Sequence, residues 1–98
     1  MTGAPTPSPV GEETIVRFLR GTRLHHDRVR DQWVIQAPER AFIADPIAAE
    51  ILRLVDGTRP VSAIIDTLAE RFAAPRPVIA QDVLEMIASL TERQVLTA

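Results

Sequence analysis

The spacing of apolar residues changes character once along the chain, near Asp45. Before it, short runs alternate: Trp33-Val34-Ile35-Gln36-Ala37 is rich in β-formers and sets Trp33, Ile35 and Ala37 on one face. Arg23 to His26 forms a short extended segment after the Gly21 breaker, and polar Asp27 to Gln32 suits a hairpin loop. No Asn-Gly or Asp-Gly fixes a two-residue turn there. Pro38 cannot donate to a ladder, so it ends the strand and begins a corner, and Arg40 to Ala44 returns as a third strand. A three-stranded antiparallel meander is expected, with an edge that nothing else in the chain is evidently placed to cover.

After Asp45 the period lengthens to that of a helix. Asp45-Pro46 pairs a capping carboxylate with proline at the first helical position. Ile47, Ile51 and Leu54 follow at i, i+4 and i+7, widened by Ala48 and Val55, and Asp56-Gly57 is the expected stop. A second helix is predicted from Pro60 with Val61, Ile64, Ile65, Leu68 and Phe72 on its apolar face. Pro75 and Pro77 punctuate again. A third helix, Val78 to Arg93, is predicted to bury Ile79, Val83, Met86 and Leu90, with Ala80, Leu84 and Ile87 as an apolar flank.

The predicted fold class is α+β: a three-stranded antiparallel sheet followed by a three-helix bundle, resembling a winged helix-turn-helix. That architecture is compatible with DNA binding, but the charge is not. The third helix carries Asp82, Glu85 and Glu92 and only Arg93 as a cation, the reverse of what a groove lined with phosphates selects.

Composition narrows the rest. The 98 residues make one domain. Residues 1–14, with Pro5, Pro7 and Pro9 and almost nothing to bury, are expected to be a flexible arm or linker, leaving 15–98 as the folded domain. That arm has neither the basic start nor the apolar run of a signal peptide. No apolar run approaches the ~20 residues of a membrane span, and the absence of cysteine points to a cytoplasmic home. Net charge is −2, which argues against a general nucleic-acid binder. All eleven basic residues are Arg, however, and Arg17, Arg20, Arg23, Arg28, Arg30 and Arg40 crowd the first half. They form either a solvated rim balanced by Asp27, Asp31 and Glu39 or a patch for an acidic partner.

Reactive chemistry is not legible. His25-His26 is the one histidine pair, and neighbours on a strand point to opposite faces, so a shared metal ion is disfavoured. Four glycines occur and none builds a phosphate loop. Ser62 and Ser89 have no histidine close in sequence to activate them. Trp33, the sole tryptophan, is expected to anchor the sheet on the helices. No enzyme activity, cofactor or metal is expected.

Three segments together resemble the PqqD family, the small accessory proteins of pyrroloquinoline quinone biosynthesis: GTRLHHDRVRDQWVIQAPER, IAAEILRLVDGTRPVSAII, and the closing helix through Leu90 with Val95-Leu96. The likeness spans Phe18 to Leu96. It implies a cofactorless peptide chaperone, the recognition element of ribosomal peptide modification pathways, that binds the precursor peptide PqqA and presents it to the radical SAM enzyme PqqE. Some members are fused to the oxidase PqqC, which would make the Pro-rich arm a linker. In relatives of this fold the peptide adds as a strand beside the third strand and packs on the last helix. On this sequence the resemblance therefore implies a site of Arg40, Ala41, Phe42, Ile43 and Ala44 on the edge, with Val83, Leu84, Ile87 and Leu90 as the other wall. Ala44 stands where related sequences often carry a larger apolar residue, which bears on groove depth. A winged-helix nucleic-acid or transcription-factor module is the rival, and salt dependence separates the two.

Overall fold

The computed structural model describes residues 10–98. Its elements are β1 (Arg17–Phe18), β2 (Arg23–Asp27), β3 (Gln32–Ala37), β4 (Arg40–Ile43), α1 (Pro46–Leu52), α2 (Val61–Phe72), α3 (Arg76–Glu92) and β5 (Leu96–Thr97). β2, β3 and β4 form the expected three-stranded antiparallel meander in that order, and three helices follow. The β2–β3 turn is organised by Asp27, whose Oδ1 accepts the N–H groups of Val29 and Arg30 at 3.0 and 3.2 Å. A side-chain acceptor thus replaces the Asn-Gly signal missing from the sequence.

Asp45 caps α1 as expected, its Oδ1 accepting the Ala48 N–H at 2.9 Å, with Pro46 behind it in the first turn. The helix is shorter than its apolar spacing suggested. It ends at Leu52, so Leu54 and Val55 lie beyond it. Asp56-Gly57 does not stop α1 but makes a separate turn, in which Asp56 Oδ1 accepts the N–H groups of Thr58 and Arg59 at 2.9 and 2.7 Å. The buried face is Ala48, Ala49, Ile51 and Leu52, while Ile47 stands 56% exposed.

α2 follows its predicted face, burying Val61, Ile64, Ile65 and Leu68. Its start has no side-chain cap. Instead the main-chain carbonyls of Thr14 and Glu12 accept the Val61 and Ser62 N–H groups at 2.8 and 2.7 Å, supplying two of the orphan donors of the first turn. Residues 1–9 of the expected arm lie outside the described residues; residues 10–14 serve as this cap.

α3 presents a face turned by one position from the expected one. Ala80, Val83, Ile87 and Leu90 are buried, whereas Ile79 and Met86 are only partly buried. The turn has a cause that apolar spacing could not reveal. β1 and β5 pair antiparallel, Arg17 with Thr97 and Phe18 with Leu96, and this ribbon packs Val16, Val95 and Leu96 against the helices. Val95 N–H donates to the Leu90 carbonyl at 2.8 Å, tying the ribbon to the end of α3. α3 therefore centres its buried stripe on the ribbon and on α2.

Candidate functional site

The register of the sheet decides which backbone groups of β4 are free. Ala44 N–H donates to the Trp33 carbonyl at 2.9 Å, so Trp33 and Ala44 are a hydrogen-bonded pair. Such pairs alternate along an antiparallel ladder, which makes Ile35/Phe42 and Ala37/Arg40 the next ones. The N–H and C=O groups of Ala41 and Ile43 consequently point away from β3. Among the described residues no strand pairs with that outer edge.

Side chains on β4 divide between the two faces. Phe42 packs against the core and Ala44 is buried, whereas Ile43 is 59% exposed on the opposite face. At the head of the strand the Arg40 guanidinium donates to the main-chain carbonyl of Arg93, joining β4 to the end of α3. Arg40 and Arg93 both lie over the Phe42 ring, 5.4 and 4.8 Å from its centroid. At the foot of the strand the surface opens into three adjoining hollows. One of about 470 Å³ is bordered by Trp33, Ile43, Ala44 and Pro46. A second of about 310 Å³ lies between Ile47 of α1 and Asp82, Glu85, Met86 and Ser89 of α3. The third, about 370 Å³, shares Ile47 and Asp82 with the second and reaches Leu68, Phe72 and Ile79. Exposed Ile47 and Phe72 make its rim apolar. β2, the other free edge, presents exposed Arg23 and His25 and borders none of these hollows.

Trp33 forms the floor where sheet meets helix. It packs on the core, with the His26 ring 4.7 Å away and the Arg53 guanidinium 5.1 Å above it. His26 Nε2 lies 3.2 Å from Asp31 Oδ1, and His25 is exposed on the other face. Among the described residues no three His, Asp or Glu side chains converge as metal ligands would. Among the described residues no helix is long and apolar enough to cross a membrane.

Residues 32–96 match the family model of Coenzyme PQQ synthesis protein D (PqqD). The chain belongs to the PqqD family. It is 56% identical over 90 residues to a protein of Gluconobacter oxydans (strain 621H) named PqqA binding protein, covering 92% of this chain and 94% of that one. A protein of the same name from Rhodopseudomonas palustris (strain TIE-1) is 46% identical over 94 residues, 96% of this chain and 92% of that one. The fold agrees. The PqqD truncation of Methylobacterium extorquens PqqCD, solved by NMR and described as a functional, stand-alone recognition element of ribosomally synthesized peptides, superposes with a TM-score of 0.79 at 38% identity. The match covers 94% of this chain and 98% of that one. The crystal structure of PqqD from Xanthomonas campestris gives 0.56 at 37% identity, over 91% and 99%.

Within this PqqD fold the residues expected to form the site separate. Arg40 to Ala44 lie together on and just beyond the open strand. Val83, Ile87 and Leu90 are 2%, 0% and 0% exposed; Val83 still lines the third hollow, beside Leu68 and Ile79, while Ile87 and Leu90 border none of the three. Leu84 is partly buried and absent from the row Asp82, Glu85, Met86, Ser89 that borders the hollow beside α1. The side chains of α3 that border the hollows beside α1 are thus Ile79, Asp82, Val83, Glu85, Met86 and Ser89, with Ile47 opposite. Sequence periodicity assigned Met86 and Ile47 to the core, because each occupies an apolar position one step from the buried stripe.

Proposed function

We propose that this chain is a peptide-binding adaptor of pyrroloquinoline quinone biosynthesis that takes the precursor peptide PqqA as an added strand on β4 and presents it to the radical SAM enzyme PqqE. One observation carries it: the backbone groups of Ala41 and Ile43 face outward along an edge with no paired strand among the described residues, and Ile43 borders a hollow that continues past Pro46 into those between α1 and α3. The relatives named PqqA binding protein supply the identity of the guest.

Strand addition satisfies edge N–H and C=O groups while alternate side chains of the guest enter pockets. Ala41 and Ile43 offer four main-chain bonds, worth about 0.5–1.5 kcal/mol each net, against about 2–5 kcal/mol for ordering the peptide. Backbone pairing alone therefore fixes register and leaves little affinity. The apolar surface of Ile43, Ile47 and Met86 has to provide the remainder. The chain positions a peptide for chemistry done elsewhere, in the cytoplasm.

The decisive test is an NMR titration of the isotope-labelled chain with synthetic PqqA, repeated on Ala41→Pro. The Ala41 N–H faces outward, so proline removes a donor for the guest and no bond of the sheet. Shifts concentrated at Ala41, Ile43, Ile47 and Met86, lost in the proline variant, support strand addition on β4. Shifts confined to the β2–β3 turn, or unchanged binding by the variant, overturn it.

A further inference from the structure

The two arginines stacked on Phe42 form a clamp at the head of the open strand that the proposed backbone pairing does not use. Resting on that strand-addition reading, we propose that the clamp holds a carboxylate of the bound peptide. The guest is then a segment with an acidic residue at one end and a large apolar residue at the other.

Like charges brought to one ring repel unless something offsets them. Arg40 and Arg93 sit 5.4 and 4.8 Å from the same Phe42 centroid. The ring's negative face attracts each, but a phenyl quadrupole is weaker than an anion. Of the nine other arginines four have found a carboxylate, Arg53 and Arg71 with Glu50, Arg59 with Asp56, and Arg76 with Glu12 and Asp66, and none of the remaining five is stacked with a second cation on one ring. Among the described residues neither Arg40 nor Arg93 has a carboxylate partner. The partial negative charge at the end of α3 accounts for a cation there, and Arg40 spends a donor on the Arg93 carbonyl. That contact fixes the guanidinium in place and leaves most of its five donors unspent. Both groups remain exposed, so a ligand can reach them.

The position of the clamp sets the pattern it selects. Arg40 opens β4, and Phe42 faces the same side as Ala44, which borders the hollow that also takes in Trp33 and Pro46. A guest strand beside β4 sends alternate side chains to that face. At about 3.3 Å per residue, its acidic and apolar residues fall an even number of positions apart, roughly two or four. Asp82 and Glu85 border the far hollow and disfavour a second acidic residue there. The clamp therefore fixes the polarity of the guest as well as its affinity.

The test is a double-mutant cycle by titration calorimetry, using the full chain and synthetic PqqA. Arg40→Gln/Arg93→Gln is expected to weaken binding roughly tenfold and to reduce its dependence on salt. In the peptide, each Glu or Asp is changed singly to its amide. One of these changes should reproduce the loss with the unaltered chain and add little further with the double variant. Additive losses for every peptide carboxylate, or unchanged affinity of a folded double variant, overturn the clamp. Ala41→Pro separates the two levels: if it abolishes binding while the arginine changes do nothing, strand addition stands and the clamp falls. If it too has no effect, strand addition itself fails. Thermal unfolding of each variant shows whether a loss reflects unfolding.

Discussion

The guanidinium of Arg76 reaches Glu12, 64 positions earlier in the chain, at 2.7 Å, and also holds Asp66 of α2 at 2.6 Å. One side chain at the start of α3 thereby joins the N-terminal segment to α2, beside the carbonyls of Glu12 and Thr14 that cap α2. Arg76→Gln removes both ion pairs and leaves the apolar core untouched. The expected result is faster hydrogen exchange at the Val61 and Ser62 amides, whose acceptors lie in the freed segment, with exchange at Ile64 and Ile65 unchanged. Equal acceleration throughout α2 would show that the tie supports the whole helix.

The same contact gives stability a pH dependence. Hydrogen bonding to Arg76 holds the Glu12 carboxyl below its ordinary value of 4.5, outweighing the opposing effect of desolvation. The Thr58 and Arg59 N–H groups hold Asp56 below 3.8 in the same way. A group with a lowered folded pKa binds fewer protons folded than unfolded, so its contribution is complete above its ordinary value and is lost as pH falls through the folded one. Thermal unfolding should therefore shift to lower temperature as pH drops below about 4.5, and Glu12→Gln should flatten part of that decline. A Gln variant with an undiminished slope would assign the acid sensitivity elsewhere.

What the sequence revealed follows from the range of the forces involved. The meander, the Asp45 cap and the face of α2 are local: a proline, a carboxylate and apolar spacing within one element specify them. The cap on α2 and the β1–β5 ribbon are main-chain contacts between distant segments, and no side-chain signal marks them. Their absence from a local reading also displaced the expected face of α3, since the ribbon decides which flank of that helix is covered. The edge strand was legible for the same reason as the sheet. The exposure of each α3 position was not, because Met86 and Ile87 differ by a single step of about 100°.

That step has a direct consequence in the core. Ile87 and Leu90 are fully buried beneath the open surface of α3. Truncating either to alanine should destabilise the chain by about 2–5 kcal/mol, the usual cost of a large-to-small change in a packed core. Denaturant unfolding followed by Trp33 fluorescence measures it. Peptide affinity of the folded fraction should change far less than stability, and a variant of native stability with weakened binding would show that these residues meet the guest directly.

The two flanks of α3 offer the sharpest division of roles. Met86 borders the hollow shared with Ile47, while Leu84 packs on the core away from that row. Met86→Glu places a carboxylate where apolar guest contact is proposed and beside Asp82 and Glu85, at a partly exposed position that can hydrate it. Binding of PqqA should fall by roughly tenfold or more with little change in unfolding temperature, since losing one apolar anchor costs about 1.5–3 kcal/mol. Leu84→Asp buries part of a charge against the core, so it should lower the unfolding temperature and leave the affinity of the folded protein nearly intact. The paired measurement is calorimetric titration and thermal unfolding of both variants. The opposite result, with Leu84→Asp abolishing binding at native stability, would move the guest to the ribbon side of α3 and away from β4.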